Sequence, residues 1–209
     1  MRFEPLFLLT WKYIDEKRKA DNKSLFRMGS ITKSFVSLGI IKLVEEGQLK
    51  LTDELKKIAP EVPFTNQWEA KNPIQIVHLL EQTTGFDDVK LHSMYNLSGK
   101  ENKGIESVLV QKNSLITRWK PGERHSYCNP NYAILGYIIE KLTGQDYDKY
   151  LTQTILEPLG MVHSNFSVNS QNPALDTREY LLKNETLSVT LMSAAVGSLW
   201  SSTDDMIPF

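Results

Sequence analysis

The sequence predicts one mixed α/β (α+β) domain in which helices dominate and strands are few. Two stretches carry this prediction, residues 25–47 and 132–143, because their apolar residues cover most of a helical circumference and therefore belong in a core. The only strand candidate before them is residues 7–13, which alternate loosely and carry β-favouring residues. With 209 residues, 41% of them hydrophobic and 23% charged, the chain is long enough for one sizeable core.

The remaining elements follow from start and stop signals along the chain. The apolar stretch at residues 25–47 is predicted to form a central helix that ends near Gly47, a glycine cap. Residues 51–58 predict a short helix capped by Thr52 or Asp53. Further helices are predicted at residues 73–80, 105–113, 132–143 (ending at Gly144), 146–156 and from Ser202 onwards, and a long polar surface loop at residues 86–104.

Charge and residue counts exclude several function classes. Lys and Arg number 24 against 25 Asp and Glu, so a net charge of −1 gives no field that would attract nucleic acid or acidic lipid. A single cysteine, Cys128, rules out an internal disulfide framework and a cysteine-built metal site, and the four histidines lack ligand spacing. No cofactor or metal is expected. No apolar run reaches the roughly 18–20 residues of a membrane span, so no transmembrane segment is expected.

Ser30 and Lys33 form the first candidate site. Together with Ile31 and Thr32 they read S-x-x-K at the opening of the central helix, where residues three apart share a face about 5–6 Å apart at Cβ. A serine becomes a nucleophile when a neighbouring base takes its proton, and burial in an apolar helix would lower the pKa of a lysine enough to help. The alternative is structural, since Ser30 also suits a helix N-cap.

Tyr127 and Asn129 form the second candidate. In an extended segment, residues two apart project to the same side, so a phenol and an amide would face one site. A phenol near a lysine ammonium is suited to proton transfer, and an amide suits orienting a substrate or the lysine. The alternative is an ordinary Asn-Pro turn. Cys128, between them, is interpreted as a packed filler.

Five segments in order resemble the penicillin-recognising serine hydrolases, in the branch of class C β-lactamases, D-alanyl-D-alanine carboxypeptidases, other penicillin-binding-protein-like members and related esterases. They span residues 25–209 and read LFRMGSITKSF, EEGQLKLTD, IQIVHLLEQTTGFDD, WKPGERHSYCNPNYAILGYIIEKLTGQDYDKYLTQTILEPLGM and AAVGSLWSSTDDM. The S-x-x-K motif is typical of this superfamily.

This resemblance implies the roles of the site residues. Ser30 would be the acylated nucleophile, Lys33 and Tyr127 a coupled proton-handling pair, and Asn129 the residue that orients substrate and lysine. The Ser30 N–H would form half of an oxyanion hole. The substrate would be a small molecule or peptide with an amide or ester: a β-lactam, a D-Ala peptide or another ester. Oligomeric state stays open, and a periplasmic, secreted or cell-envelope location is implied.

The sequence also departs from the family pattern. The third motif, Lys or His followed by Thr or Ser and Gly, does not occur, and Leu142-Thr143-Gly144 ends a helix without the basic residue. The resemblance therefore implies one β-lactamase/transpeptidase-like domain over residues 1–209, incomplete at both ends, holding mainly the helical part with most of the antiparallel sheet missing. The alternative function is a catalytically inactive fragment or relative that acts as a binding module.

Overall fold

The protein is described here by a computed structural model covering residues 11–13, 17–90, 94–96, 102–166, 190–191 and 194–209. Helices dominate these residues, as predicted. The helices are α1 (Thr32–Glu45), α2 (Leu55–Ile58), α3 (Ile76–Leu80), α4 (Glu106–Leu109), α5 (Asn129–Thr143), α6 (Tyr147–Leu151) and α7 (Thr203–Met206). The strands are β1 (Trp11–Tyr13), β2 (Arg18–Lys19), β3 (Phe26–Arg27), β4 (Tyr95–Asn96), β5 (Thr190–Leu191) and β6 (Trp200–Ser201).

The strands pair as three short antiparallel ladders, β1 with β2, β3 with β6 and β4 with β5. In the ladder nearest the central helix, Phe26 lies opposite Ser201 and Arg27 opposite Trp200. The predicted strand at residues 7–13 contains β1, while residues 7–10 lie outside the described residues. The mixed, mainly helical class is thus confirmed.

Helices α1 and α5 pack against each other and form the centre of the core. Their inward side chains, including Phe35, Ile40, Leu43, Ile134 and Ile138, are fully buried. Burying one such side chain stabilises the fold by roughly 1.5–3 kcal/mol. The two apolar stretches therefore lie where their composition predicts.

Helices α2 and α3 begin later than predicted, at Leu55 and Ile76. The residues just before them, Glu54 and Gln75, face each other in an antiparallel bridge, and the N–H of Leu55 donates to the carbonyl of Ile74. The backbone there is used for pairing, so neither Thr52 nor Asp53 is the helix cap: the N-cap of α2 is Glu54.

Several helix ends match the prediction. Gly47 follows α1 with a φ of 72°, and Gly144 caps α5 with a φ of 69°, a region that favours glycine. Residues 105–113 contain α4 and the start of a 3-10 turn (Lys112–Ser114), and residues 146–156 contain α6 followed by one π-helical turn (Thr152–Leu156). Ser202 caps α7 by accepting a hydrogen bond from the N–H of Asp205.

The polar stretch at residues 86–104 is not a loop throughout. It contains β4, which pairs with β5; residues 91–93 and 97–101 lie outside the described residues. None of the helices in the described part of the chain is long and apolar enough to cross a membrane.

The described histidines have structural or surface positions. His78 accepts a hydrogen bond from the N–H of Gln75 in the capping box of α3, and burial lowers its pKa. His125 is exposed, and His163 contacts Asp205, which ties the segment after α6 to α7. His92 lies outside the described residues.

Candidate active site

Ser30 lies in a 3-10 turn (Gly29–Ile31) between β3 and α1. The turn begins with a φ of 53° at Gly29, a conformation that favours glycine, and Ser30 itself is exposed. The segment before β6 supports both sides of the turn: the N–H of Met28 donates to the carbonyl of Leu199, and the N–H of Leu199 donates to Thr32 Oγ1. The hydroxyl of Ser30 is therefore presented at the surface from a fixed backbone.

Lys33 lies one turn further along and points back to Ser30. Its Nζ donates to Ser30 Oγ at 3.2 Å and to the carbonyl of Val196 at 2.7 Å. The side chain is only 6% exposed. The contact predicted from the three-residue spacing is confirmed.

Burial lowers the pKa of Lys33, and this effect outweighs its hydrogen bonding and charge interaction with Tyr127 and the charge of Asp88, which raise that pKa. The ammonium also lies 5.1 Å from the ring centre of Tyr127 and 5.6 Å from that of Tyr132, where the ring faces favour positive charge. A lysine of lowered pKa spends more time neutral, so Lys33 is suited to exchange a proton with Ser30.

Tyr127 reaches the same serine from the other side. Its Oη lies 2.7 Å from Ser30 Oγ, close enough for a strong hydrogen bond between the two hydroxyls. Tyr127 is 45% exposed and lies two residues before the start of α5. The structure thus brings Ser30, Lys33 and Tyr127 together at one point.

Asn129 is placed differently from the expectation. The extended segment ends at Cys128, and Asn129 is already the first residue of α5. Its N–H donates to Asp88 Oδ1 at 2.8 Å, and its Nδ2 lies 3.1 and 3.3 Å from the two oxygens of the same carboxylate. Among the described residues the hydrogen bonds of its side chain go to Asp88, with none to Lys33.

Cys128 is fully buried, and its Sγ lies 3.4 Å from the carbonyl oxygen of Asp87. Burial raises the pKa of its thiol to about 12. A thiol that stays protonated is a poor nucleophile, so the interpretation as a packed filler holds.

Comparison with known protein families shows which family this chain belongs to. The sequence model of the Beta-lactamase family matches residues 7–209. The chain belongs to the β-lactamase family. The resemblance inferred from the five segments is thereby confirmed.

Relatives of this β-lactamase family chain include protein flp of Staphylococcus aureus, 33% identical over 201 residues that cover 92% of this chain and 39% of the relative. A putative D-alanyl-D-alanine carboxypeptidase of Salmonella typhimurium is 30% identical over 156 residues, covering 71% of this chain and 35% of the relative. The chain thus spans well under half the length of these curated relatives.

Solved structures agree with the β-lactamase family assignment. The octameric penicillin-binding protein homologue from Pyrococcus abyssi superposes with a TM-score of 0.71 and 29% identity, over 95% of this chain and 46% of that one. FmtA from Staphylococcus aureus superposes with a TM-score of 0.74 over 94% of this chain and 54% of that one. At 20% identity, FmtA shows the fold alone. The β-lactamase/transpeptidase-like fold is confirmed.

Three contributors to this β-lactamase-like site were missed from the sequence. Val196 acts through its backbone carbonyl, which no side-chain pattern reveals. Asp88 accepts a hydrogen bond from the N–H of Asn129. In the sequence, the signal for this role is that Asp87 and Asp88 form a pair of carboxylates soon after Gly85. Gln82 contacts the segment around Tyr127 from a position whose sequence looks like an ordinary helix end.

Proposed function

We propose that this chain carries the acylation centre of a serine hydrolase that cleaves an amide or ester, such as a β-lactam, a D-Ala peptide or an ester, through an acyl-enzyme on Ser30. The observation that carries the proposal is the convergence on Ser30 Oγ of two proton-handling groups, Lys33 Nζ at 3.2 Å and Tyr127 Oη at 2.7 Å. A nucleophile within hydrogen-bond reach of a base, itself held by a third group, is the arrangement that covalent catalysis needs. Membership of the β-lactamase family supports the same class of reaction.

The chemistry follows from these contacts. Ser30 Oγ attacks the carbonyl carbon of the substrate while its proton passes into the Lys33–Tyr127 pair. The two groups touch the same oxygen and influence each other, so we assign the proton to the pair. The pair then protonates the leaving amine or alcohol. Water then attacks the acyl group and gives one proton to the pair, which passes that proton to Ser30 Oγ as the acid is released.

Three further groups have proposed supporting roles. The backbone N–H of Ser30, at the entry to α1, would stabilise the oxyanion formed in each step. The side-chain Nδ2 of Asn129 is bound to Asp88, so the side-chain oxygen Oδ1 would be the group that contacts the substrate. Val196 holds Lys33 in place through its carbonyl.

The test is hydrolysis of p-nitrophenyl acetate and of a chromogenic cephalosporin by the full chain. We expect both substrates to be hydrolysed, with a burst of product equal to the enzyme concentration where deacylation is the slower step and the acyl-enzyme accumulates. Ser30→Ala should abolish the burst. Ser34→Ala, an exposed serine on the same helix, is the matched control and should retain it.

The alternative function predicts a different result. A catalytically inactive relative would be folded by circular dichroism yet hydrolyse neither substrate, with no burst and no turnover. That outcome would overturn the hydrolase proposal and favour the binding-module interpretation.

A further inference from the structure

Gln82 has an unusual backbone conformation for a buried residue. It follows α3 and is 6% exposed, yet its φ is 61°, in the left-handed region that residues other than glycine rarely adopt. Such strain persists only where the surrounding structure enforces it, and it is concentrated near functional sites. The contacts of Gln82 show what the conformation achieves.

Gln82 accepts three hydrogen bonds from the segment that carries Tyr127. The N–H of Ser126 donates to its main-chain carbonyl at 2.9 Å. The N–H of Cys128 and the Nδ2 of Asn131 both donate to its side-chain Oε1, at 3.0 and 2.8 Å. These bonds hold the backbone directly before and directly after Tyr127.

The contacts of the Tyr127 side chain itself are with the two groups it must meet, Ser30 Oγ and the Lys33 ammonium. Tyr127 is 45% exposed, so packing alone does not fix the side chain, whereas Cys128, the next residue, is fully buried. The next anchor along the chain is Asp88, which binds the N–H of Asn129. The 2.7 Å approach of Tyr127 Oη to Ser30 Oγ therefore depends on the backbone position that Gln82 sets.

We propose that Gln82 is a positioning residue for Tyr127: its strained conformation turns both of its carbonyl oxygens onto the 126–131 segment and thereby keeps the Tyr127 hydroxyl on Ser30. The proposal rests on the proposed function, since it concerns how the proton-handling pair is kept in place. Gln82 itself does not contact Ser30, Lys33 or Tyr127 through any hydrogen bond among the described residues.

The variants separate positioning from folding. Gln82→Leu keeps the approximate size and removes the Oε1 acceptor, whereas Gln82→Glu keeps an oxygen at that place. Gln82→Gly also removes the acceptor but accepts the φ of 61° without strain, and it serves if the leucine variant does not fold. Gln111→Leu is the matched control: Gln111 is 4% exposed and its Nε2 donates to the carbonyl of Ser107.

The readout is the second-order rate at which a fluorophosphonate labels Ser30 in each folded variant. We expect labelling to fall about 100-fold in Gln82→Leu or Gln82→Gly, since a misplacement of about 1 Å has that effect. Gln82→Glu should restore most of the rate, and Gln111→Leu should label at the wild-type rate. A wild-type rate in Gln82→Leu would overturn the proposal.

A double-mutant cycle tests whether the effect passes through Tyr127. In the Tyr127→Phe background, Gln82→Leu should lower the rate less than about threefold further, because residues that act through each other are not additive. If Gln82→Leu lowers the labelling rate by the same factor in the Tyr127→Phe background as in the wild-type chain, Gln82 acts independently of Tyr127, which would contradict the proposal.

Hydrogen exchange of the peptide covering residues 124–132 separates this proposal from the proposed function. If the folded wild-type chain is not labelled at Ser30, the hydrolase proposal fails on its own. The role of Gln82 is then decided by exchange: faster exchange of this peptide in Gln82→Leu than in Gln111→Leu supports it, and equal exchange overturns it.

Discussion

Gly136 in α5 offers a way to move the site without touching a site residue. A Cβ added at Gly136 would lie 2.6 Å from the Cβ of Ala195, whereas ordinary contacts between such atoms begin at 3.4 Å. In Gly136→Ala the turn Ala194–Val196 must therefore move away from α5 by about 0.8 Å. The carbonyl of Val196, in that turn, accepts the hydrogen bond from Lys33 Nζ at 2.7 Å, and a shift of this size along the bond would stretch it to the limit of hydrogen-bond length.

The expected effects on stability and reactivity differ in size. Overpacking costs about 1–3 kcal/mol, and alanine in a helix interior recovers about 1 kcal/mol relative to glycine, so the net loss in the free energy of unfolding should be at most about 2 kcal/mol. Displacing the support of Lys33 by nearly 1 Å should slow labelling of Ser30 by about 10- to 100-fold.

Urea unfolding and the rate of fluorophosphonate labelling measure the two effects. Gly39→Ala is the matched control, because Gly39 also lies mid-helix and its added Cβ would overlap Leu151 Cδ2, the end of a side chain that can rotate. It should lose comparable stability and label at the wild-type rate. Wild-type labelling by Gly136→Ala, together with the expected loss of stability, would refute the role assigned to the Val196 carbonyl.

Three further predictions concern single side chains. Tyr127→Phe should slow labelling of Ser30 by about 10²–10⁴-fold with little change in melting temperature, because the ring is exposed; a wild-type rate would remove Tyr127 from the mechanism. Lys33→Met should raise the free energy of unfolding most near about pH 7 and less towards about pH 10. Burial disfavours the charged form of Lys33 and lowers its folded pKa below the unfolded value, so the cost of burying the charge is present at lower pH and disappears as the lysine deprotonates. A gain that is independent of pH would contradict the lowered pKa. Cys128, with a pKa of about 12 and no exposed surface, should react with an aromatic disulfide reagent at about pH 8 only after unfolding, and fast reaction of the native chain would contradict its burial.

The contact between Ser30 and Lys33 was predictable because it is local. Helical spacing alone places residues three apart on one face, and the structure has them 3.2 Å apart. The contact of Ser30 with Tyr127 joins residues 97 apart, and only the family resemblance indicated it. Helix or strand spacing cannot predict a contact between residues so far apart in sequence, because the path of the intervening chain depends on the whole fold.

The errors at α2 and α3 have a shared cause. Thr52 and Asp53 are good capping residues, but the bridge between Glu54 and Gln75 uses the backbone where the helices were expected to begin. Tertiary pairing overrides a local capping preference. The left-handed conformation of Gln82 is likewise a tertiary feature, because its oxygens accept hydrogen bonds from a segment more than 40 residues away, while its sequence context indicates only the end of a helix.

The central claim is that Ser30 is the reactive nucleophile of this site, and intact mass shows whether it is. The full chain and Ser30→Ala would each be incubated with a penicillin and, separately, with a fluorophosphonate, after circular dichroism has shown both to be folded. We expect one adduct on the wild-type chain, mapped to the peptide that contains Ser30, and none on Ser30→Ala. A folded wild-type chain that gains no mass, or an equal adduct on Ser30→Ala, would contradict the claim.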